Sequence, residues 1–147
     1  MKEIAVNRKA HHDYIIEETY EVGMSLVGSE LKSLRKGKAS IKEAYVSFFH
    51  GEAFVKDMHI SIYDEASYNN HDETRDRKLL LHKAQIVKLA SKSKVQGYTV
   101  IPLKVYFNDR GRVKMEIGLA KGKTLYDKRE SDKKKAMEMA AKQAMKR

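Results

Sequence analysis

From Tyr14 to Leu26 the chain alternates between two kinds of side chain. The even positions are Tyr14, Ile16, Glu18, Tyr20, Val22, Met24 and Leu26, and the odd ones include Glu17, Thr19, Glu21, Gly23 and Ser25. A period of two sends neighbouring side chains to opposite faces, so this stretch predicts a long strand with one face buried and one wet. A helix of the same sequence would scatter its apolar residues around the axis. Gly23 within the strand predicts a bend or bulge, of the kind a small closed barrel needs.

The rest of the chain supplies partners for that strand. Ser29 predicts a cap for a short helix over 30–36, with Leu31 and Leu34 inward and Gly37 as its stop. Residues 44–49 and 53–62 read as strands joined at His50-Gly51, a hairpin signal. Residues 64–73 are polar and read as a loop. Leu80, Ala84 and Val87 recur at helical spacing and predict a helix running to about residue 92. Two further strands, 98–107 and 112–119, turn at Asn108-Asp109-Arg110-Gly111. Pro102 lacks an N–H donor and predicts an edge or a bulge. Five or six strands with two or three short helices, and no strand–helix–strand rhythm, favour a mainly β fold: a small antiparallel barrel of the oligonucleotide-binding (OB) kind.

The chain is 147 residues long, which suits one domain with a core. Its text changes near residue 130. Between Lys121 and Arg147 there are ten Lys or Arg and four Asp or Glu, so six of the ten net positive charges lie there. Ala and Met make up most of the apolar stripe beyond residue 130, and they anchor a core poorly. The expectation is a barrel domain over 1–129 and a basic tail over 130–147, disordered alone and helical on a partner. The +10 charge favours a polyanionic partner, nucleic acid before acidic membrane. No cysteine is present, which removes disulfides, zinc fingers and thiol nucleophiles. With no signal-peptide-like run and no eighteen-residue apolar stretch, the expected address is cytoplasmic.

Few motifs suggest chemistry. Gly118-x-x-x-Gly122-Lys123-Thr124 has three residues between its glycines where a phosphate-cradling loop needs four. Flexible glycines beside RNA-binding lysines are the better functional reading, with a solvated strand end as the plain alternative. The six histidines lack metal-ligand spacing and read as solvent residues, with His12 open to RNA. Glu17, Glu18 and Glu21 suggest a nuclease or phosphotransferase only if a second acidic element faces them, and none is nominated. Glu21 is the carboxylate best placed to accept from a base or a 2′-OH. Lys32, Arg35, Lys36, Lys38, Arg75, Arg77 and Lys78 form two basic clusters, each expected at a helix end where phosphate is readily held.

In collinear order, Ile4-Ala5-Val6-Asn7-Arg8-Lys9-Ala10 with His12-Asp13-Tyr14, Glu21-x-Gly23, Gly28-x-Glu30-x-Lys32-Ser33-Leu34-Arg35-x-Gly37-Lys38, Thr74-Arg75-x-Arg77-Lys78-Leu79-Leu80-Leu81 and Gly118-x-Ala120-Lys121-Gly122-Lys123 resemble the SsrA-binding protein family, also called small protein B. Asp127-Lys128-Arg129 completes the series. The resemblance implies an OB-type barrel with a flexible carboxyl tail and neither cofactor nor enzymatic activity. It implies binding to the tRNA-like domain of transfer-messenger RNA, delivered to stalled ribosomes for trans-translation. Carried over by position, the RNA face includes Asn7, His12, Glu21, Arg35, Arg75, Lys78, Leu80 and Lys123. Arg8, Lys9, Lys32, Lys36, Lys38, Arg77 and Lys121 extend it. Tyr126, Asp127, Lys128 and Arg129 fall near the small-subunit decoding centre, and Lys133, Lys134, Lys135, Met145 and Lys146 in the messenger channel. The alternative within RNA binding is a general single-strand barrel, which needs an aromatic platform on its open sheet face.

Overall fold

The computed structural model describes residues 2–62 and 71–123. Most of the expected loop at 64–73, the residues 126–129 and the tail 130–147 therefore lie outside the described residues.

The alternating stretch forms strand β2 (Tyr14–Met24), with Val22 and Met24 buried and Glu17, Thr19 and Glu21 exposed. It pairs antiparallel with β9 (Val113–Gly122) over nearly its whole length. β9 in turn pairs with β8 (Tyr98–Phe107). The ring continues through β4 (Tyr45–Phe49), β5 (Glu52–Lys56) and β7 (Arg77–Leu80), and β7 returns to β2. Six antiparallel strands thus close on one another, which removes free sheet edges. The expected small barrel of the OB kind is what forms. β1 (Lys2–Val6) adds to the far half of β8, and β3 (Ala39–Ser40) with β6 (His59–Ile60) makes a separate pair. Inside, Val22, Val46, Val55, Leu79, Val100, Met115 and Ile117 fill the barrel, and Leu34 from α2 (Gly28–Arg35) seals one end.

Several expectations change in the structure. Seven strands, not five or six, make the main sheet, because short pieces such as β1 and β7 carry too little alternation to read. The helix expected to include Leu80, Ala84 and Val87 starts later, as α3 (Lys83–Ser93), and it buries Ile86 and Leu89 instead. Leu80 belongs to β7, where it is 55 % exposed. The basic cluster of Arg75, Arg77 and Lys78 therefore approaches and enters a strand, not a helix end. Gly23 is not a bulge. The register of β2 slips between Ile16 and Glu18, whereas at Gly23 the side chain of Leu80 comes so near that an added Cβ would sit 3.3 Å from its Cδ1. Pro102 is at a bulge but not on an edge: β8 slips against β9 between Pro102 and Lys104, just where its other side exchanges β4 for β1.

Ser29 does not cap α2. The helix begins two residues earlier than expected, at Gly28, and the Ser29 hydroxyl pairs with the buried ring of His71 at 3.0 Å. The backbone carbonyl of Ile60 accepts from His71 Nε2 at 2.8 Å, which leaves Nδ1 to accept from Ser29. The reading of all histidines as solvent residues is corrected here. His59 is also half-buried and joined to Glu73 at 2.7 Å.

Gly118 carries a second correction. It is buried in mid-strand, and the side chains of Ile16 and Leu103 close over it, beside Ala10 of α1 (Ala10–Asp13). Ala10, Ile101, Leu103 and Ala120, with Tyr14 and Ile16, make a small second core on the outside of the β2–β9–β8 sheet. A glycine is needed for that approach, so its freedom to flex plays no part.

Candidate nucleic-acid interface

Two basic neighbourhoods lie at opposite ends of β2, about 30 Å apart by the rise of a strand. The first surrounds α1. Asn7 leaves β1 with its backbone N–H bonded to the Leu103 carbonyl at 2.8 Å, and its side-chain amide donates to the Pro102 carbonyl at 3.5 Å. Arg8, Lys9 and His12 are exposed, and His12 Nδ1 lies 2.9 Å from the Asp13 carboxylate. The end of β9 returns to the same place, because Tyr14 pairs with Gly122 and Ile15 with Lys121. Lys123 donates to the His11 carbonyl at 2.8 Å, and the Lys121 ammonium lies 5.6 Å from the Tyr98 ring centroid. Residues a hundred positions apart thus share one surface.

The second neighbourhood forms where β7 closes on β2. Gly23, Met24, Leu26, Leu31 and Leu80 give an apolar floor to an open depression of about 370 Å³. Arg35, Arg112 and Lys114 stand around it. Lys32, Lys36 and Lys38 are exposed on and just beyond the same helix, and Lys78 is exposed beside Leu80, 3.2 Å from Glu52. On the next row of the sheet Glu21 stands opposite Glu116, which pairs with Lys104 at 3.8 Å. The buried hydroxyl of Tyr106 donates to Glu21. Burial, and then the Glu21 carboxylate, push the Tyr106 pKa up, so this proton stays on the phenol.

Of the residues expected on the RNA face, one departs. Arg77 is fully buried: its Nε donates to Glu30, and Nη1 donates to the Met58 carbonyl at 2.8 Å. It has no surface to offer a phosphate and serves the fold. Arg75 is intermediate, since Nη2 donates to Glu30 at 2.6 Å and to the Ser25 carbonyl at 3.3 Å, yet 36 % of its side chain is exposed. The sequence reading missed Arg112, Lys114 and Tyr106. Lys114 stands opposite Gly23 and Tyr106 opposite Lys114, a placement that only strand pairing reveals.

The three clustered carboxylates do not converge. Tyr98 donates to Glu17 at 2.9 Å, Lys88 and Tyr20 donate to Glu18 at 3.0 and 2.8 Å, and Tyr106 takes Glu21. The hydrogen bonds from Lys88 and Tyr20 hold the Glu18 pKa below its usual value, against weak desolvation. Among the described residues no group of His, Asp and Glu is arranged to hold a metal. The exposed β2 positions Ile15, Glu17, Thr19 and Glu21 carry no aromatic ring, so a row of bases has no platform along that strand. No helix among the described residues is long and apolar enough to cross a membrane.

Residues 4–147 match the family model described as SmpB protein. An SsrA-binding protein from a Nitratiruptor species is 55% identical over 147 residues, covering 99% of this chain and 98% of the relative. Another, from Geotalea uraniireducens, is 57% identical over 136 residues, with 92% and 89% covered. A solved chain presented as "tmRNA-SmpB: a journey to the center of the bacterial ribosome" superposes with a TM-score of 0.68 at 47% identity, over 80% of this chain and 82% of its own.

Proposed function

This chain belongs to the SmpB protein family, and on that premise we propose that it is an RNA-binding adaptor. It binds the tRNA-like domain of transfer-messenger RNA and delivers it to stalled ribosomes for trans-translation. Its partners are that RNA and the ribosome, and its place of work is the cytoplasm. It carries no catalytic step; the separate engagement of Glu17, Glu18 and Glu21 supports this reading.

One observation carries the assignment of the RNA face. Gly23, Leu80, Arg35 and Lys114 come from four separate elements, and with Arg112 from the turn before β9 they meet in one shallow, cation-rimmed depression. A folded RNA is read by shape, through phosphate and 2′-OH groups and through bases that leave the stack. An apolar floor for a base beside guanidinium and ammonium groups for phosphate meets both needs. Asn7, Arg8, Lys9, His12, Lys121 and Lys123 form a second grip at the other end of β2, and the exposed part of Arg75 extends the first. The barrel 1–129 holds the RNA. Tyr126, Asp127, Lys128 and Arg129 approach the decoding centre, and the tail 130–147 enters the messenger channel with Lys133, Lys134, Lys135, Met145 and Lys146.

The experiment is a salt titration of binding to the isolated tRNA-like domain. Arg35→Glu and Lys114→Glu should each weaken binding and lower the slope of log affinity against log salt by about 0.7–0.9 for each phosphate no longer neutralised. Truncation after Arg129 should leave this affinity nearly intact and abolish rescue of stalled ribosomes. An unchanged slope in both charge variants places the RNA on another surface.

A further inference from the structure

Phe49 ends β4 with 64 % of its surface exposed, the highest fraction among the exposed large hydrophobic residues described. It does not hang loose. The neighbouring His50 ring meets it edge-on, with centroids 4.0 Å apart and planes at 74°. Beside it an open groove of about 560 Å³ runs between the β4–β5 hairpin and α3, walled by Tyr45, Val87, Ala90 and Lys94. An exposed aromatic face held beside a groove of this size offers a flat apolar surface on which another ring can stack.

The groove is continuous with the RNA face. Gly51 and Ile86 line both it and a smaller depression of about 320 Å³, which also contains Lys83 and Leu80. Leu80 in turn belongs to the depression rimmed by Arg35 and Lys114. Three adjoining depressions therefore line up as a furrow from Arg35, past Leu80 and Gly51, to Phe49. Its charge selects the occupant. Lys83 and Lys94 have no carboxylate partner among the described residues, and the one acidic side chain in the furrow, Glu52, is paired with Lys78 at 3.2 Å. A net cationic furrow ending on an exposed ring suits a polyanion that can offer an unstacked base.

We propose that the groove between the β4–β5 hairpin and α3 is a third RNA-contact site, in which an unpaired nucleobase of the bound RNA stacks on Phe49 while Lys83 and Lys94 meet its phosphates. The inference rests on the RNA-adaptor reading and extends its footprint beyond Leu80. Stacking is tolerant of base identity and needs only a π-face, so the site strengthens binding without reading sequence.

The chain contains no tryptophan, so Phe49→Trp introduces a sole indole. The full-length variant is titrated with the tRNA-like domain of transfer-messenger RNA while binding is followed independently by gel shift. Indole emission should be quenched in step with the shift. Phe49→Ala should weaken binding roughly five- to hundred-fold, the effect of losing one stacked base. Its salt slope should stay unchanged and its unfolding midpoint should move little, because the change removes no phosphate-binding cation and only the exposed contact with His50. If Phe49→Ala binds as tightly as the parent while Leu80→Ala loses affinity, the groove holds no RNA and the adaptor reading survives. If the indole is instead quenched by raising protein concentration without RNA, the groove is an interface between copies and the proposal fails. Loss of all binding by the unaltered chain overturns the adaptor reading itself.

Discussion

Glu30, in the first turn of α2, accepts a hydrogen bond from Arg77 of β7, and both side chains are wholly removed from solvent. The same carboxylate accepts from Arg75 at 2.6 Å and from the Val27 N–H at 2.9 Å, so its oxygens are well supplied. This pair ties the end-sealing helix to the strand that closes the barrel.

Removing one partner leaves the other buried and uncompensated. Glu30→Ala should therefore cost about 3–5 kcal/mol in chemical denaturation, and pairing it with Arg77→Met should recover a large part of that loss. Burial pushes the Glu30 pKa up, but Arg75, the Val27 N–H and Arg77 together outweigh it and hold the value below the ordinary 4.5. The unfolded chain thus takes up this proton more readily than the folded one. Stability from Glu30 ionisation is complete above about pH 4.5 and is lost as pH falls through the lower folded value. Acid unfolding of Glu30→Gln should lack that component; an identical acid limb in both proteins contradicts the assignment.

Gly118 sets a second limit. A Cβ there would lie 3.0 Å from Ile16 Cγ2 and 3.0 Å from Leu103 Cδ1, inside the outer core under α1. Gly118→Ala forces both side chains to shift and should destabilise by roughly 1–3 kcal/mol. Calorimetry reads this directly, and an unchanged midpoint means that the outer core yields freely.

How much was legible follows from how far each signal travels along the chain. β2, β8 and β9 showed themselves because a long period of two survives any partner. The His50-Gly51 turn was visible for a local reason, its backbone chemistry. The Leu79-Leu80-Leu81 run was ambiguous, since a short apolar stretch reads equally as strand or helix, and only pairing of Gly23 with Leu80 makes it β7. Arg77 looked like a phosphate ligand because nothing in the sequence reveals that Glu30, forty-seven positions earlier, awaits it. Arg35 stood out as part of a basic helix end, and Leu80 was nominated through family likeness alone. Arg112, Lys114 and Phe49 gain meaning only from neighbours that the fold brings to them.

The β4–β5 hairpin offers a test of local backbone chemistry. Phe49 pairs with Glu52, leaving a two-residue loop in which His50 has φ 49° and Gly51 φ 74°. Positive φ at both positions is the geometry that Asn-Gly fits best. His50→Asn should raise stability by about 0.5 kcal/mol, seen as a higher urea midpoint. A lower midpoint would show that the edge-on contact of His50 with Phe49 outweighs the backbone preference.

Tyr106 gives the prediction closest to function. Glu21 and Glu116 stand directly opposite each other across β2 and β9, an arrangement that drives two carboxylates apart. Lys104 answers Glu116, while Glu21 is held by the Tyr106 hydroxyl, whose proton burial and Glu21 keep in place. Tyr106 is only 4 % exposed, so on the proposed RNA face its role is to position Glu21 and not to touch the RNA. Tyr106→Phe keeps the ring in the sheet and removes the tether alone. Stability should fall by about 1 kcal/mol, the worth of one hydrogen bond. Affinity for the tRNA-like domain should fall several-fold, because Glu21 is free to turn away from its RNA partner. In a Glu21→Gln background the same change should add almost nothing to the loss of affinity, since the carboxylate it positions is already gone. Additive losses in that double-mutant cycle would mean that Tyr106 and Glu21 serve the RNA separately.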